Sequence, residues 1–367
     1  MAQIPEPCTR LRDESGFRNP ATSRLTWPAT PACWALARKG ADAIELARLD
    51  GWQCVVKKGE FQAADQGVYF EIDSFLPIEP RYEFLRKSSL KRMNDEEGFR
   101  LKTIKLRGQL SQGLLLPLAA FPELSGQGLP EGADVTEPLR IKKYEPPIPA
   151  ELAGIALGPF PSFIPKTDAE RIQNLPDHFQ VYGSDAFEIT EKLDGSSMTV
   201  YHRDGKLGVC SRNLELVESE ANTLWQIVRR SGLDRVLAEL GRALALQGEL
   251  AGEGIQKNPL RIRGQKLFLF HVFDIDRGAY LTPPERRVLY QTLRQKTGSE
   301  LLDHVPVIGE AVRIFERYPS MDLLLEAADG KSQIAPQRDR EGLVFKSLRH
   351  PNVVFKALSN RYLLKND

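Results

Sequence analysis

One short segment constrains this chain more than any other. Phe187 and Ile189 belong to an extended apolar run that ends at Lys192; Leu193-Asp194-Gly195-Ser196-Ser197 is a small-residue turn, and Met198-Thr199-Val200-Tyr201 resumes an extended pattern. A chain written this way places a lysine at a strand end, where Asp-Gly redirects the backbone into a second strand. A lysine so placed, with a carboxylate and a glycine behind it, is a plausible nucleophile. Its amine attacks only when neutral, so burial or neighbouring cations must lower its pKa. Taken alone, Lys-x-Asp-Gly is also a common turn.

Four further segments follow in order. Cys210-Ser211-Arg212-Asn213 ends a strand that returns through the turn Asp204-Gly205. Gly248-Glu249-Leu250-Ala251-Gly252-Glu253-Gly254-Ile255-Gln256-Lys257-Asn258 sets carboxylates between glycines. Leu267 to Ile275 reads as a buried strand ending in the aromatic-acid pair Phe273-Asp274. Glu341-Gly342-Leu343-Val344-Phe345-Lys346 and Val353-Val354-Phe355-Lys356 are two short strands, each finishing on lysine.

This ordered set resembles the nucleotidyl motifs of the covalent nucleotidyltransferases: DNA ligases, RNA ligases and mRNA capping enzymes. In detail it is similar to ATP-dependent RNA ligases of the nick-sealing family with an N-terminal OB-like domain, and the Gly248 to Asn258 stretch carries that likeness best. The resemblance implies that Lys192 attacks the α-phosphorus of ATP, expels pyrophosphate and holds AMP as a phosphoramide. It implies ATP/AMP contacts from Glu191 (adenine edge), Gly195, Arg212 (ribose or 5′-phosphate), Glu249, Phe273 (stacked on adenine), Lys346 and Lys356. Lys346 and Lys356 are expected to lower the Lys192 pKa while neutralising the α-phosphate. Glu249 and Glu341 are expected to hold Mg²⁺ or Mn²⁺, directly or through water. The implied partner is nucleic acid, a nicked RNA or RNA-containing duplex read through A-form shape.

Composition sets limits on other readings. The chain has 367 residues, 41% of them hydrophobic, enough for two cores. Lys+Arg 50 against Asp+Glu 49 leaves a net charge of +1, so no global basic field marks a purely electrostatic binder. Local clusters remain, one of Arg86, Lys87, Lys91 and Arg92, another of Arg100, Lys102, Lys105 and Arg107. Cys8, Cys33, Cys54 and Cys210 lack metal-site spacing and read as reduced thiols. No apolar run approaches membrane-spanning length and no signal segment is evident, so no membrane partner and a cytoplasmic setting are expected. His271 reads as a satisfied core residue. A Gly-x-x-x-x-Gly-Lys-Ser/Thr loop is absent, which disfavours an ordinary P-loop ATPase.

The expected fold class is α+β: a C-terminal nucleotidyltransferase domain of antiparallel sheets and helices, preceded by a small all-β OB-like barrel. Residues 1–39 read as an irregular N-terminus, 40–143 as the OB-like nucleic-acid-binding domain, 144–165 as a Pro-rich linker and 166–367 as the adenylyltransferase domain. Helices are expected over 167–174, 221–231, 234–245, 283–296 and 321–328. Two departures from the family pattern stand out. Prolines 28 and 31 occupy the place of the family's first barrel strand. Lys356 is followed by Ala357-Leu358, where related ligases often carry a second lysine; Arg361 is the nearest substitute. Few residues follow Lys356, so the C-terminal OB domain of DNA ligases and capping enzymes is not expected. Two rival readings stay open: a DNA ligase or GTP-using capping enzyme, and a nucleic-acid-binding protein with an inactive ligase-like domain.

Overall fold

The computed structural model describes residues 23–26, 43–49, 51–62, 65–93, 95–124, 129–130, 132–145 and 156–366. The Pro-rich stretch 146–155 and most of 1–39 lie outside them. Within the latter, Ser23–Thr26 is a strand, antiparallel to Gly67–Phe70, rather than irregular chain. The expected α+β class holds: antiparallel ladders dominate, with helices concentrated in the C-terminal half. Two parallel pairings interrupt the antiparallel pattern, Leu302–His304 on Gln265–Asp274 and Glu170–Arg171 on Val354–Leu358.

The chain divides into two compact units. The first takes 65–102 and 113–145 together with the N-terminal strand. It holds a three-stranded sheet, a four-stranded sheet and a core of Phe70, Leu76, Tyr82, Phe99 and Phe121. Three of its clustered arginines are ion-paired locally: Arg86 with Glu83, Arg92 with Asp95 and Arg100 with Asp73. The second unit takes 28–64, 103–112 and everything after 146. Its two small hairpins, Ile44–Leu49 with Trp52–Lys57 and Thr103–Leu106 with Gln109–Gln112, are each two-stranded. They meet through Gln53 Nε2 donating to Leu110 O (2.8 Å) and Val55 N donating to Ser111 Oγ (3.0 Å). These bonds link side chain to backbone instead of extending a ladder, and among the described residues no closed barrel forms.

Two sheets build the rest of the second unit. The larger has eight strands with Ser196–Arg203, Leu244–Gly252 and Gln265–Asp274 adjacent at its centre. Alternation sends Met198, Val200, Leu246, Leu250, Leu267, Leu269 and Val272 to one face. There they pack against Trp225, Ile227 and Val228 of helix Thr223–Ser231 and Val236 and Leu237 of helix Leu233–Leu240. The first helix starts because the Asn222 carboxamide accepts from Leu224 N and Trp225 N. The second ends at Gly241 (φ 60°), so the helix expected through 245 stops early and Leu244 begins a strand. Helix Pro283–Thr297 follows the Thr282/Glu285 capping box, and helix Met321–Ala328 falls where expected.

The smaller sheet has five strands, with Val354–Leu358, Gly342–Ser347 and Phe187–Lys192 in sequence. Phe187, Ile189, Leu343, Phe345, Phe355 and Ala357 face Ile314, Phe315, Leu324 and Leu325. The intervening positions, Glu188, Thr190, Lys192, Lys346 and Lys356, therefore share the other face. Glu170–Arg171 adds an edge strand, and one 3-10 turn, Ile172–Asn174, follows it. This replaces the helix expected over 167–174: Ile172, Gln173 and Asn174 are all buried, leaving no solvent face for a helix. Asn174 Oδ1 also accepts from Trp52 Nε1 (2.9 Å), tying the first hairpin to this edge.

Phe355 sits among Phe187, Phe315, Phe345 and His178. Phe355→Ala should cost about 3–5 kcal/mol in denaturant unfolding, as large aromatic truncations in cores do.

Candidate active site

The Phe187–Lys192 strand belongs to the smaller sheet and Ser196–Arg203 to the larger, so 193–195 is where the chain crosses between them. Gly195 makes the crossing possible. A Cβ there would meet Leu250 O at 2.4 Å and Glu249 Cγ at 3.0 Å. The crossing thus presses the lysine strand's end onto the Glu249 strand.

Lys192 Nζ donates to Glu341 Oε2 at 2.8 Å, with both side chains half-buried. Burial pulls the amine's pKa down, but the charges of Glu341, Glu249 and Asp194 outweigh it, and the net shift is upward. The sequence-based expectation of a depressed amine is therefore corrected: without a nucleotide, Lys192 is an ammonium held by carboxylates. Glu249 is pushed up to about 7, first by burial and then by the Glu341 and Asp194 charges, against Lys192 and the Gly195 N–H. Asp194 Oδ2 accepts from the Tyr362 hydroxyl.

The other expected site residues fall at different depths. Lys356 is pushed down to about 8 by burial and then by Lys192 and Arg171, so it stands within the field of the reactive amine. Lys346 is buried and turned elsewhere: Nζ donates to Phe270 O (2.6 Å) and lies 5.9 Å from the Phe270 ring centroid. Burial and then the Arg286 charge hold it well below the usual lysine range, with Glu188 opposing. Glu188 is itself fully buried between Arg286 and Arg287. Arg212 is exposed and grips both oxygens of Asp168 (2.8 and 3.0 Å), whose charge also reaches Lys356.

Glu191 lies on the face opposite Lys192, buried, its Oε2 accepting from Gln333 N (2.7 Å). Burial raises its pKa, against the Ser332 hydroxyl and the Gln333 N–H. Phe273 is not brought to the cluster. It pairs with Ala245, four strand positions from Glu249 and so roughly 13 Å along the sheet, and packs beneath Tyr280 and Tyr201. Phe268 pairs with Glu249, and Phe270, the extra residue of a bulge opposite Gln247 and Gly248, packs near Leu193. His271 is buried between the Phe270 and Tyr280 rings. Arg361 pairs with Asp329 (3.9 Å) at the start of helix Asn360–Asn366.

Asp194, Phe270 and Tyr362 were not singled out from the sequence. The Asp-Gly signal marks Asp194 only as a turn residue, and the bulge that sets Phe270 apart leaves no mark in the residue pattern. Tyr362 meets Asp194 across 168 positions, a separation no local pattern encodes.

A cavity of about 810 Å³ opens beside the pair, lined by Lys192, Asp194, Glu341, Tyr362 and a ring of basic side chains. An amine that hydrogen-bonds a carboxylate, a second lysine in its field and a cation-rich cavity suit attack on a phosphorus and stabilisation of the charge that develops there.

Because the fold raises Glu249 to about 7 from 4.5, ionising it opposes folding. The sign follows: its contribution to stability falls as pH rises from 4.5 through 7. Glu249→Gln should raise the unfolding free energy by roughly 2 kcal/mol at pH 8 and leave it unchanged near pH 4, measured by urea titration.

Residues 36–118 match a family model described as an OB-fold domain, and 185–358 one described as RNA ligase. Among solved structures, Naegleria gruberi RNA ligase with pyrophosphate is 46% identical with a TM-score of 0.81, covering 95% of this chain and 99% of that one. A glutamate-to-alanine form of it with ATP and Mn is 46% identical (TM-score 0.80), again covering 95% and 99%. A lysine-to-methionine form with AMP and Mn is 45% identical (TM-score 0.80), with the same coverage. No curated protein matches. Among the described residues, no helix is long and apolar enough to cross a membrane.

Proposed function

Given that the chain belongs to the RNA ligase family, we propose that it is an ATP-dependent RNA ligase that joins 3′-hydroxyl and 5′-phosphate ends at nicks through a lysyl-AMP intermediate. The single observation that carries this reading is the Lys192–Glu341 pair at the crossing between sheets, beside a basic cavity.

In the first step the Lys192 lone pair forms a bond to the α-phosphorus as the bond to the pyrophosphate oxygen breaks. That lone pair becomes available when the ammonium first gives one proton to Glu341 Oε2, which already accepts its hydrogen bond; the second proton, left on nitrogen after attack, departs with the pyrophosphate. Lys356, whose charge and that of Lys192 oppose each other, supplies positive charge to the α-phosphate oxygens and works against protonation of the amine. Arg212, by exchanging Asp168 for ribose or a 5′-phosphate, takes the role its fork geometry suits. AMP then passes to the 5′-phosphate, and the 3′-hydroxyl attacks and releases it.

Asp194, Glu249 and Glu341 supply the hard oxygen ligands that Mg²⁺ or Mn²⁺ prefers. Among the described residues no group of three acidic, histidine or cysteine side chains is close enough to ligate a bare ion, so the fit is to a hydrated one. When bound, the ion adds positive charge at the phosphate oxygens. Nucleic-acid contact we assign to the OB-fold region within 40–143 and catalysis to residues from 166 onward, with a cytoplasmic setting in keeping with the buried free thiols Cys54 and Cys210.

Incubation with labelled ATP and Mn²⁺ should give an amine-linked AMP adduct, stable to alkali and hydrolysed by acid as a phosphoramidate is, on wild type and none on Lys192→Ala. Wild type should also seal nicked duplexes with RNA at the 3′-hydroxyl side. Absence of the wild-type adduct rules the mechanism out.

A further inference from the structure

Four cations on the lining of the cavity that Lys192 and Glu341 also line have no part in the steps above. Lys257, Arg261 and Arg263 line it from the 253–264 loop, and Arg338 lines it as well. All four are exposed, and none makes an ion pair or side-chain hydrogen bond with a described residue. Lys331 and Lys365, on the same lining, are instead both committed to Asp339. Seven cations line the cavity against four carboxylates, Asp194, Glu253, Asp339 and Glu341, in a chain whose net charge is only +1.

The loop is held in shape. Asn258 brackets Ile262, its Oδ1 accepting from Ile262 N (3.0 Å) and its Nδ2 donating to Ile262 O (2.9 Å). Gln265 Nε2 donates to Glu253 O (2.7 Å) across the neck, where a Cβ on Gly252 would meet Gly264 O at 2.1 Å. Gln256 Nε2 reaches Gly195 O (3.4 Å), fastening the loop to the turn that aims Lys192. Gln256, Asn258 and Arg261 have φ of 48°, 43° and 52°, a left-handed conformation that non-glycine residues adopt at a cost. The loop thus maintains an unfavourable backbone while presenting unpaired cations to a cavity beside the reactive amine.

We propose that the 253–264 loop is a phosphate-binding element in which Lys257, Arg261 and Arg263 donate to phosphate oxygens next to the one that reacts, with Arg338 completing the site. Guanidinium forks match two phosphate oxygens at once, and ammonium groups add point charge. The oxyanions come either from the pyrophosphate part of the nucleotide or from the polynucleotide end. This inference rests on the ligase reading.

The test uses the full chain with Lys257→Ala and Arg261→Ala combined. Titration with inorganic pyrophosphate should show affinity lower by at least about tenfold if the nucleotide is the source. If the polynucleotide is the source, anisotropy with a nicked RNA duplex should show a similar loss, with a salt dependence shallower by about one to two units. A folded variant, with an unchanged thermal midpoint, that binds both as wild type does overturns the proposal, as does a wild type that binds neither. Should this variant fail to fold, Arg263→Gln combined with Arg338→Gln carries the same comparison. A wild type that binds pyrophosphate but forms no AMP adduct sinks the ligase reading and leaves the loop assignment standing.

Discussion

The hydrogen-bonded ion pair between Lys192 and Glu341 is the interaction on which the site depends. Its geometry follows from a steric fact: the backbone at 195 lies so close to Leu250 O that only glycine fits. That approach brings the end of one sheet against the middle strands of the other. Lys192, Asp194, Glu249 and Glu341 then share one small region although they come from three separate stretches of sequence. With no nucleotide bound, the pair also sets the resting state, in which three carboxylates keep the amine protonated and unreactive. Reactivity then requires a proton to leave the amine, with Glu341 placed to accept it and the Lys356 charge opposing its return.

Behind the reactive face lies a more expensive arrangement. Glu188, Arg286 and Lys346 are all buried, and His304 Nε2 accepts from Arg286 Nε at 3.0 Å. Burying such groups is costly unless each is paired, and Glu188 meets that need by taking Arg286 and Arg287 together. Lys346 is left with a backbone carbonyl and an aromatic face. The strand pairing of Glu188 with Lys346 places this network two alternations along the sheet face from Lys192. Stability and chemistry therefore occupy the same surface of the smaller sheet.

The sequence made the order of chemistry-bearing segments readable because each is local: a strand end, a turn, a carboxylate between glycines. Strands with period-two burial and the helices at 283–297 and 321–328, which have clear caps, were readable for the same reason. The segment at 167–174 misled because a capping pattern says nothing about burial on every side. Glu191 and Phe273 show a second limit. Position in a motif does not reveal which face of a strand a residue takes, and one bulged residue at Phe270 shifts everything after it. The sign of the Lys192 shift was out of reach because it depends on Asp194, Glu249 and Glu341 converging from afar.

The contact between Trp52 and Asn174 has a practical consequence for anyone dividing this molecule. Asn174 follows directly on the edge strand beside Lys356, and Arg171 of that strand lies 5.3 Å from the Trp52 ring. Gln112 likewise donates to Asn360 at 3.3 Å, at the head of the last helix. An excised C-terminal half would lose the indole that covers its sheet margin. A shortened protein made for crystallography or engineering should keep both early hairpins attached.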